Sequence, residues 1–90
     1  MKSIDIHGYL RSEGELQLVG FVKESYLNRE FFILIIHGVG QGILKEMVHA
    51  NLKKNKYVER FEIAPPQIGG SGATLCYLKK RGYGAKTINT

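Results

Sequence analysis

The stretch Phe31-Phe32-Ile33-Leu34-Ile35-Ile36-His37-Gly38-Val39-Gly40-Gln41-Gly42 decides how this chain folds. Six successive aromatic or large aliphatic residues leave no polar side for water, which reads as a central strand buried on both faces of a mostly parallel sheet. Glycines at 38, 40 and 42 then end the strand. From Ile43 to Asn55 the apolar residues Ile43, Leu44, Met47, Val48 and Leu52 form one stripe of a helix, with Lys45, Glu46, Lys53 and Lys54 outside it and His49 on the exposed flank. A strand, a bare glycine turn and a helix in succession present backbone N–H groups at the positive end of the helix. That is a site for a phosphate-sized anion.

Upstream, Lys2 to His7 alternates apolar and polar residues and predicts a short strand ending at Gly8. From Ser12 to Asn28 the residues Leu16, Leu18, Val19, Val22, Tyr26 and Leu27 recur at mostly helical spacing. Ser12 and Glu15 stand in the arrangement of a capping box, while Gly14 and Gly20 weaken the helix. Downstream, Tyr57 to Ile63 alternates again, Ala64 to Gly72 is a Pro- and Gly-rich loop, and Ala73 to Leu78 supplies a last strand. The order strand-helix-strand-helix-strand-strand predicts an α/β fold with a four-stranded mixed sheet. Its first three strands pair in parallel through right-handed crossovers and the last returns antiparallel. The carboxyl ends of the three parallel strands, and with them His7-Gly8, His37-Gly38 and the Pro-Pro…Gly-Gly loop, then share the edge where open α/β sheets bind ligands.

Ninety residues with 43% hydrophobic and 23% charged side chains suffice for one globular core. One domain is expected over residues 1–80, followed by a basic tail, 81–90, that lacks periodicity and is expected to be disordered. The longest apolar run is far shorter than the roughly 20 residues of a membrane span, and nothing marks a signal peptide, so a soluble, cytoplasmic protein is expected. Cys76 lies in an apolar segment and reads as a small hydrophobe. The net charge of +5 is unevenly spread. Residues 1–44 carry four basic against five acidic side chains, and residues 45–90 nine against three, a balance of −1 against +6. A basic second half points to a polyanionic partner.

Asp5 and His7 are two residues apart on a strand and share a face. A carboxylate beside an imidazole orients the ring and suits it to general acid–base work, though a buried Asp–His hydrogen bond would leave the same pattern. His37 closes the neighbouring strand. With Asp5 and His7 it could hold a divalent cation such as Mg2+ or Mn2+, although three ligands without a recognised spacing make a weak metal motif. The glycine turn also departs by one residue from a dinucleotide-binding fingerprint, for which Glu59 would be the ribose-binding acid. Tyr9, Tyr57, Tyr77 and Tyr83 could stack on unpaired bases, although alternation puts Tyr57 on a core face. The segment Gly69-Gly70-Ser71-Gly72-Ala73-Thr74 adds a flexible, donor-rich loop at the same edge.

Taken in order, Ile4-Asp5-Ile6-His7-Gly8 resembles the Leu-Asp-Leu-His-Gly opening of the small MutS-related (Smr) domain. Ile35-Ile36-His37-Gly38-Val39-Gly40-Gln41-Gly42-Ile43-Leu44 is similar to that family's Ile-His-Gly-x-Gly-x-Gly-x-Leu, and Gly69 to Thr74 completes the set before the last strand. The resemblance covers about residues 4–78. It implies a two-layer α/β sandwich like the C-terminal domain of bacterial translation initiation factor three. It also implies a nucleic-acid role, since members occur at the C-terminus of the second bacterial MutS paralogue and as stand-alone proteins. Some nick DNA or cut messenger RNA on collided ribosomes, and others are better described as binders.

By that resemblance Asp5 and His7 are the catalytic pair, and His37, Gly38, Gly40 and Gly42 the substrate-contacting loop. Lys45, Lys53, Lys54, Gly69, Gly70 and Gly72 complete the expected nucleic-acid-binding set. Many members are basic at the positions of Val39 and Lys45, whereas here only Lys45 is. The expected function is an endonuclease acting on DNA or RNA, with the ribosome and a MutS-type ATPase as partners. The alternatives are a non-cleaving DNA-, RNA- or ribosome-binding module and, more remotely, a dinucleotide-binding unit.

Overall fold

The computed structural model describes residues 1–81, and the expected disorder of the tail falls, from residue 82 on, outside them. In chain order the elements are β1 (Lys2–Asp5), α1 (Arg11–Leu27), β2 (Phe32–Ile36), α2 (Ile43–Lys54), β3 (Val58–Ile63), two short 3-10 turns (Pro66–Ile68 and Gly70–Gly72) and β4 (Ala73–Leu78). The sheet runs β1-β2-β4-β3. β1 pairs with β2 in parallel, and β4 lies antiparallel to both β2 and β3. The first three strands therefore point the same way, as expected, but β4 is inserted between β2 and β3. Only β1 and β2 form a parallel ladder, which corrects the expected pairing of all three.

Both helices cover one face of the sheet. There Ile33, Ile35, Cys76, Leu78 and Val58 pack with Ile6 against Leu18 and Val22 of α1 and Met47, Val48 and Leu52 of α2. Each such side chain contributes about 1.5–3 kcal/mol when fully buried, so this face dominates the stability. The opposite face holds only a small cluster in which Leu34, Ala64 and Ala73 meet Ile36 and Ile68. β2 is thus covered by helices on one side only, and its apolar run is explained on the other side by the Pro-rich loop folding over Leu34. Phe32, beyond the reach of that loop, stays 41% exposed. Burial pushes the Cys76 thiol up to about 12, so it behaves as the small hydrophobe expected.

Several helix details differ from the sequence reading. α1 starts one residue early. Glu13, not Glu15, reaches back to accept a hydrogen bond from the N–H of the N-cap residue, Leu10 (3.2 Å). Leu16, Val19 and Leu27 are exposed, and the buried face of α1 is Gly14, Leu18, Val22 and Ser25. Gly14 is buried because a β-carbon there would lie 3.3 Å from both Leu44 and Met47, so its lack of a side chain lets α1 approach α2. On α2, Ile43 is 54% exposed and leaves the stripe. The last turn of α1 contains no basic residue. Arg81, arriving from beyond β4, donates to the Leu27 carbonyl at 2.8 Å and supplies the cation that the negative end of the helix favours.

Gly20, unlike Gly14, faces open space. Gly20→Ala is expected to stabilise the fold by about 0.5–1 kcal/mol, because alanine reduces the entropy lost on helix formation and meets no neighbour. Thermal or urea unfolding checks this, and a lowered midpoint would contradict it.

Candidate nucleic-acid interface

The insertion of β4 brings four chain segments to one edge: the carboxyl ends of β1, β2 and β3 and the start of β4. The Ile6 N–H donates to the Ile36 carbonyl (2.8 Å), continuing the β1–β2 ladder past Asp5. The N–H groups of His37 and Gly38 both donate to the Gly72 carbonyl, at 3.0 and 2.9 Å. The loop expected to be flexible and donor-rich is instead wound into two 3-10 turns, with the N–H groups of Ile68 and Gly70 both donating to the Pro65 carbonyl (3.0 Å each). Gly72 ties this loop to the end of β2, while Gly69 and Gly70 lie further out on the turns.

Asp5 and His7 stand together as the alternation required. The Asp5 carboxylate oxygen accepts both the backbone N–H of His7 (3.1 Å) and its ring Nδ1–H (2.5 Å). These bonds hold the Asp5 carboxyl below its ordinary range, the ring contact contributing most. The pair is exposed, with side chains 67% (His7) and 51% (Asp5) accessible, and is not the buried Asp–His bond that the same pattern allowed. Because Nδ1 carries the proton given to Asp5, the neutral ring keeps its lone pair on Nε2.

His7 lines a groove of about 400 Å³ whose other wall is the glycine turn and the first residues of α2, Ile43 to Lys45. Gly38 has φ +81°, and a β-carbon on it would sit 3.2 Å from that of His7, so glycine is needed where turn and pair meet. Gly42 caps α2 in the left-handed region (φ +85°) and offers no side chain to the first N–H groups of the helix. Those groups remain available to an anion. Val39 and Ile43, 65% and 54% exposed, flank them with apolar surface. Lys45 is the cation at this end. Lys53 lies on the same flank of α2, sharing a second shallow groove with Gly42, Lys45 and His49. Lys54 is exposed at the far end of the helix, about 16 Å from its start.

Three readings are corrected here. His37 borders the groove but has no free ring nitrogen to offer it. It is 3% exposed, its Nδ1–H donates to the Gly38 carbonyl (2.9 Å), and its Nε2 lies 2.9 Å from the Thr74 hydroxyl. With both nitrogens engaged it cannot join Asp5 and His7 around a cation, and among the described residues no group of three or more His, Cys, Asp or Glu is gathered for a metal. His49 is not a surface residue, for its Nε2 lies 3.0 Å from the same Thr74 hydroxyl and its ring packs on Phe61 (centroids 5.1 Å apart). Glu59 sits at the start of β3, beside a register shift, at the opposite edge from the glycine turn and unable to serve a ribose there.

Thr74 and His49 are the residues that sequence reasoning missed. The pairings dictate the protons. His37 gives its Nδ1–H to a carbonyl, so its Nε2 accepts the Thr74 O–H, and the Thr74 oxygen in turn accepts Nε2–H from His49. His49 bordered the apolar stripe, three residues before Leu52. That position was the available signal. Burial lowers the pKa of both imidazoles, reinforced for His37 by the charge of Lys45 and for His49 by His37, Lys45 and Lys53.

The chain matches the family model of the Smr domain over residues 4–79. It is 38% identical over 76 residues to "Endonuclease MutS2" of Lactococcus lactis subsp. cremoris, a match covering 84% of this chain and 10% of that protein. A protein of the same name from Streptococcus agalactiae is 39% identical over 75 residues, again about a tenth of its length. The chain thus spans about a tenth of these relatives. Among solved structures, the Smr domain of Thermus thermophilus MutS2 superposes with a TM-score of 0.85 at 30% identity, covering 88% of this chain and 99% of that one. YdaL, a stand-alone small MutS-related protein from Escherichia coli, superposes with a TM-score of 0.83 at 26% identity, covering 87% and 64%.

Two outcomes are expected of the paired imidazoles. Thr74→Val leaves the His37 lone pair and the His49 N–H unpaired and should cost about 1–3 kcal/mol in urea unfolding, with Thr74→Ser costing less. The second concerns pH. The unfolded chain, with histidines titrating near 6.5, binds protons that the folded pair refuses. Stability is therefore full above about pH 6.5 and declines as pH falls toward the lowered folded values. NMR titration should place both rings below the ordinary histidine value, and stability that rises on acidification from pH 7 would contradict the assignment.

Proposed function

The chain belongs to the Smr domain family, and on that premise we propose that it is a phosphodiester-cleaving domain for DNA or RNA with Asp5 and His7 as its catalytic pair. One observation carries this reading. An imidazole with Nδ1 held by a carboxylate, and Nε2 left with its lone pair, lines a groove whose opposite wall is an uncapped helix N-terminus reached through a glycine turn. The first N–H groups of α2 and the Lys45 ammonium suit a phosphate. The exposed Val39 and Ile43 suit the sugar or base beside it. His7 Nε2 then takes the proton of the attacking oxygen, a ribose 2′-hydroxyl in RNA or a water in DNA, as that oxygen bonds to phosphorus and the bond to the leaving ester oxygen breaks; Asp5 stabilises the imidazolium that forms, the leaving oxygen takes a proton from water, and the imidazolium returns its own to solvent. Gly38, Gly40 and Gly42 shape the loop that meets the backbone. Lys53 and Lys54 extend the basic surface along α2, and Gly69 and Gly70 stand at the margin of the edge.

The curated relatives named endonucleases support cleavage as the activity. That their matched region is a tenth of their length supports action beside other domains, in one chain or in a complex such as one with a MutS-type ATPase. Messenger RNA on ribosomes and intact duplex DNA, to be nicked, are the substrates to compare, in a cytoplasmic setting, with and without Mg2+ or Mn2+.

His7→Ala and Asp5→Ala should lower cleavage of a labelled substrate by about 10²–10⁴-fold while binding, measured by fluorescence anisotropy, is kept. Lys45→Ala should weaken binding and flatten its salt dependence. Unchanged cleavage in the first two variants would remove the catalytic assignment. Salt-dependent binding by the wild type with no product on any substrate would leave a non-cleaving binding module instead.

A further inference from the structure

Both helices pack on one face of the sheet, so the other face carries side chains that no element covers beyond the loop over Leu34. Register places Phe32 opposite Tyr77 and Tyr77 beside Arg60 on this open side. The Phe32 and Tyr77 rings meet edge to face at 6.1 Å, and the Arg60 guanidinium lies 3.8 Å over the Tyr77 ring, steadied by Glu62 at 3.2 Å. Just before β2, Phe31 continues the pairing with β4 by accepting from the Leu78 N–H, which by alternation puts it on the side of Ile33 rather than of Phe32, and its side chain is 69% exposed beyond the core. Phe31 shares a cleft of about 210 Å³ with Arg29, Glu30, Lys79, Lys80 and Arg81. Four cations there face one carboxylate.

We propose that this cleft, at the end of the sheet away from His7, is a second docking surface for single-stranded nucleic acid, with Phe31 stacking an unpaired base and Lys79, Lys80 and Arg81 holding the phosphates on either side of it. The proposal rests on the reading of the chain as a nucleic-acid domain and adds a site distinct from the groove at His7. The chemistry is that of strand-tracking proteins, in which a basic track follows the backbone while aromatic faces receive bases irrespective of sequence. A duplex would hide its base faces from Phe31. Arg81 already gives one N–H to the Leu27 carbonyl, and a guanidinium has further donors to spend on a phosphate.

Phe31 precedes β2 and the glycine turn follows it, so the two sites stand at opposite edges of the sheet, separated by five β2 residues or about 16 Å. Short oligonucleotides can satisfy one site and longer ones both.

The test measures anisotropy of labelled oligo-dT and oligo-U of about 4 and about 12 nucleotides, lengths within the span one small domain occupies. The proteins are the wild type, Phe31→Ala, Phe31→Trp, Lys79→Glu/Lys80→Glu and the His7→Ala control, each checked for native circular dichroism. Phe31→Ala should weaken binding of the 12-mer at least five-fold, Phe31→Trp should restore it, and Lys79→Glu/Lys80→Glu should weaken it and lower its salt dependence. The wild type should prefer the 12-mer to the 4-mer, and His7→Ala should keep that preference. If substrate is cleaved, the cleft variants should raise KM and leave kcat in place. Loss of cleavage chemistry in every protein, with Phe31-dependent binding intact, would remove the nuclease reading and leave this surface standing. Binding of the 12-mer by folded Phe31→Ala and Lys79→Glu/Lys80→Glu at wild-type strength would overturn it, as would failure of the wild type to bind either single strand.

Discussion

The site depends on the junction where the first residues of β4 meet the last of β2. The Gly72 carbonyl receives two successive N–H groups of the turn, and two residues later the Thr74 hydroxyl bridges the imidazoles of buried His37 and half-buried His49. These contacts run through groups that cannot be left unpaired without cost, because Thr74 and His37 are almost wholly removed from water. A glycine turn is otherwise the least restrained segment a chain can have. Held from behind at its carbonyl and N–H groups, it becomes a wall against which His7 can rest. His49, from the middle of α2, extends the same restraint to the helix whose N-terminus faces the groove.

Two carboxylate–imidazole and hydroxyl–imidazole arrangements thus divide the work by burial. The inner one, Thr74 with two neutral rings, carries stability and position. The outer one, Asp5 with His7, is too exposed for its ion pair to stabilise the fold appreciably. Its effect is directional: Asp5 fixes which ring nitrogen bears the proton. That division explains why a conspicuous histidine such as His37, placed right at the glycine turn, can lie behind the working surface.

Much of the fold was legible from periodicity. β4 occupies the very span expected after the Pro- and Gly-rich loop, and α2 begins at Ile43 as the end of the glycine turn required. The site was legible where it rested on strand alternation, as for Asp5 and His7. It was illegible where it rested on long-range register. Nothing local to Thr74 announces that two histidines, 37 and 25 residues away, converge on its hydroxyl. Periodicity also misjudged α1, whose apolar residues Leu16, Val19 and Leu27 lie around its circumference while Gly14 makes the contact with α2. A glycine reads as a weakness when only propensity is weighed, and as a contact once the second helix is in place.

The insertion of β4 between β2 and β3 has consequences at both of its ends. Had the third strand paired directly with β2, the last strand would have been an edge strand, and its first residues could not have reached the end of β2. Running antiparallel through the middle of the sheet, β4 delivers Gly72 and Thr74 to the edge that holds His7. It also carries the chain back to the opposite edge, where Lys79, Lys80 and Arg81 gather beside Phe31. The cation that closes α1 at Leu27 belongs to that second cluster. One central strand therefore supports the groove at one edge and a basic, aromatic cleft at the other.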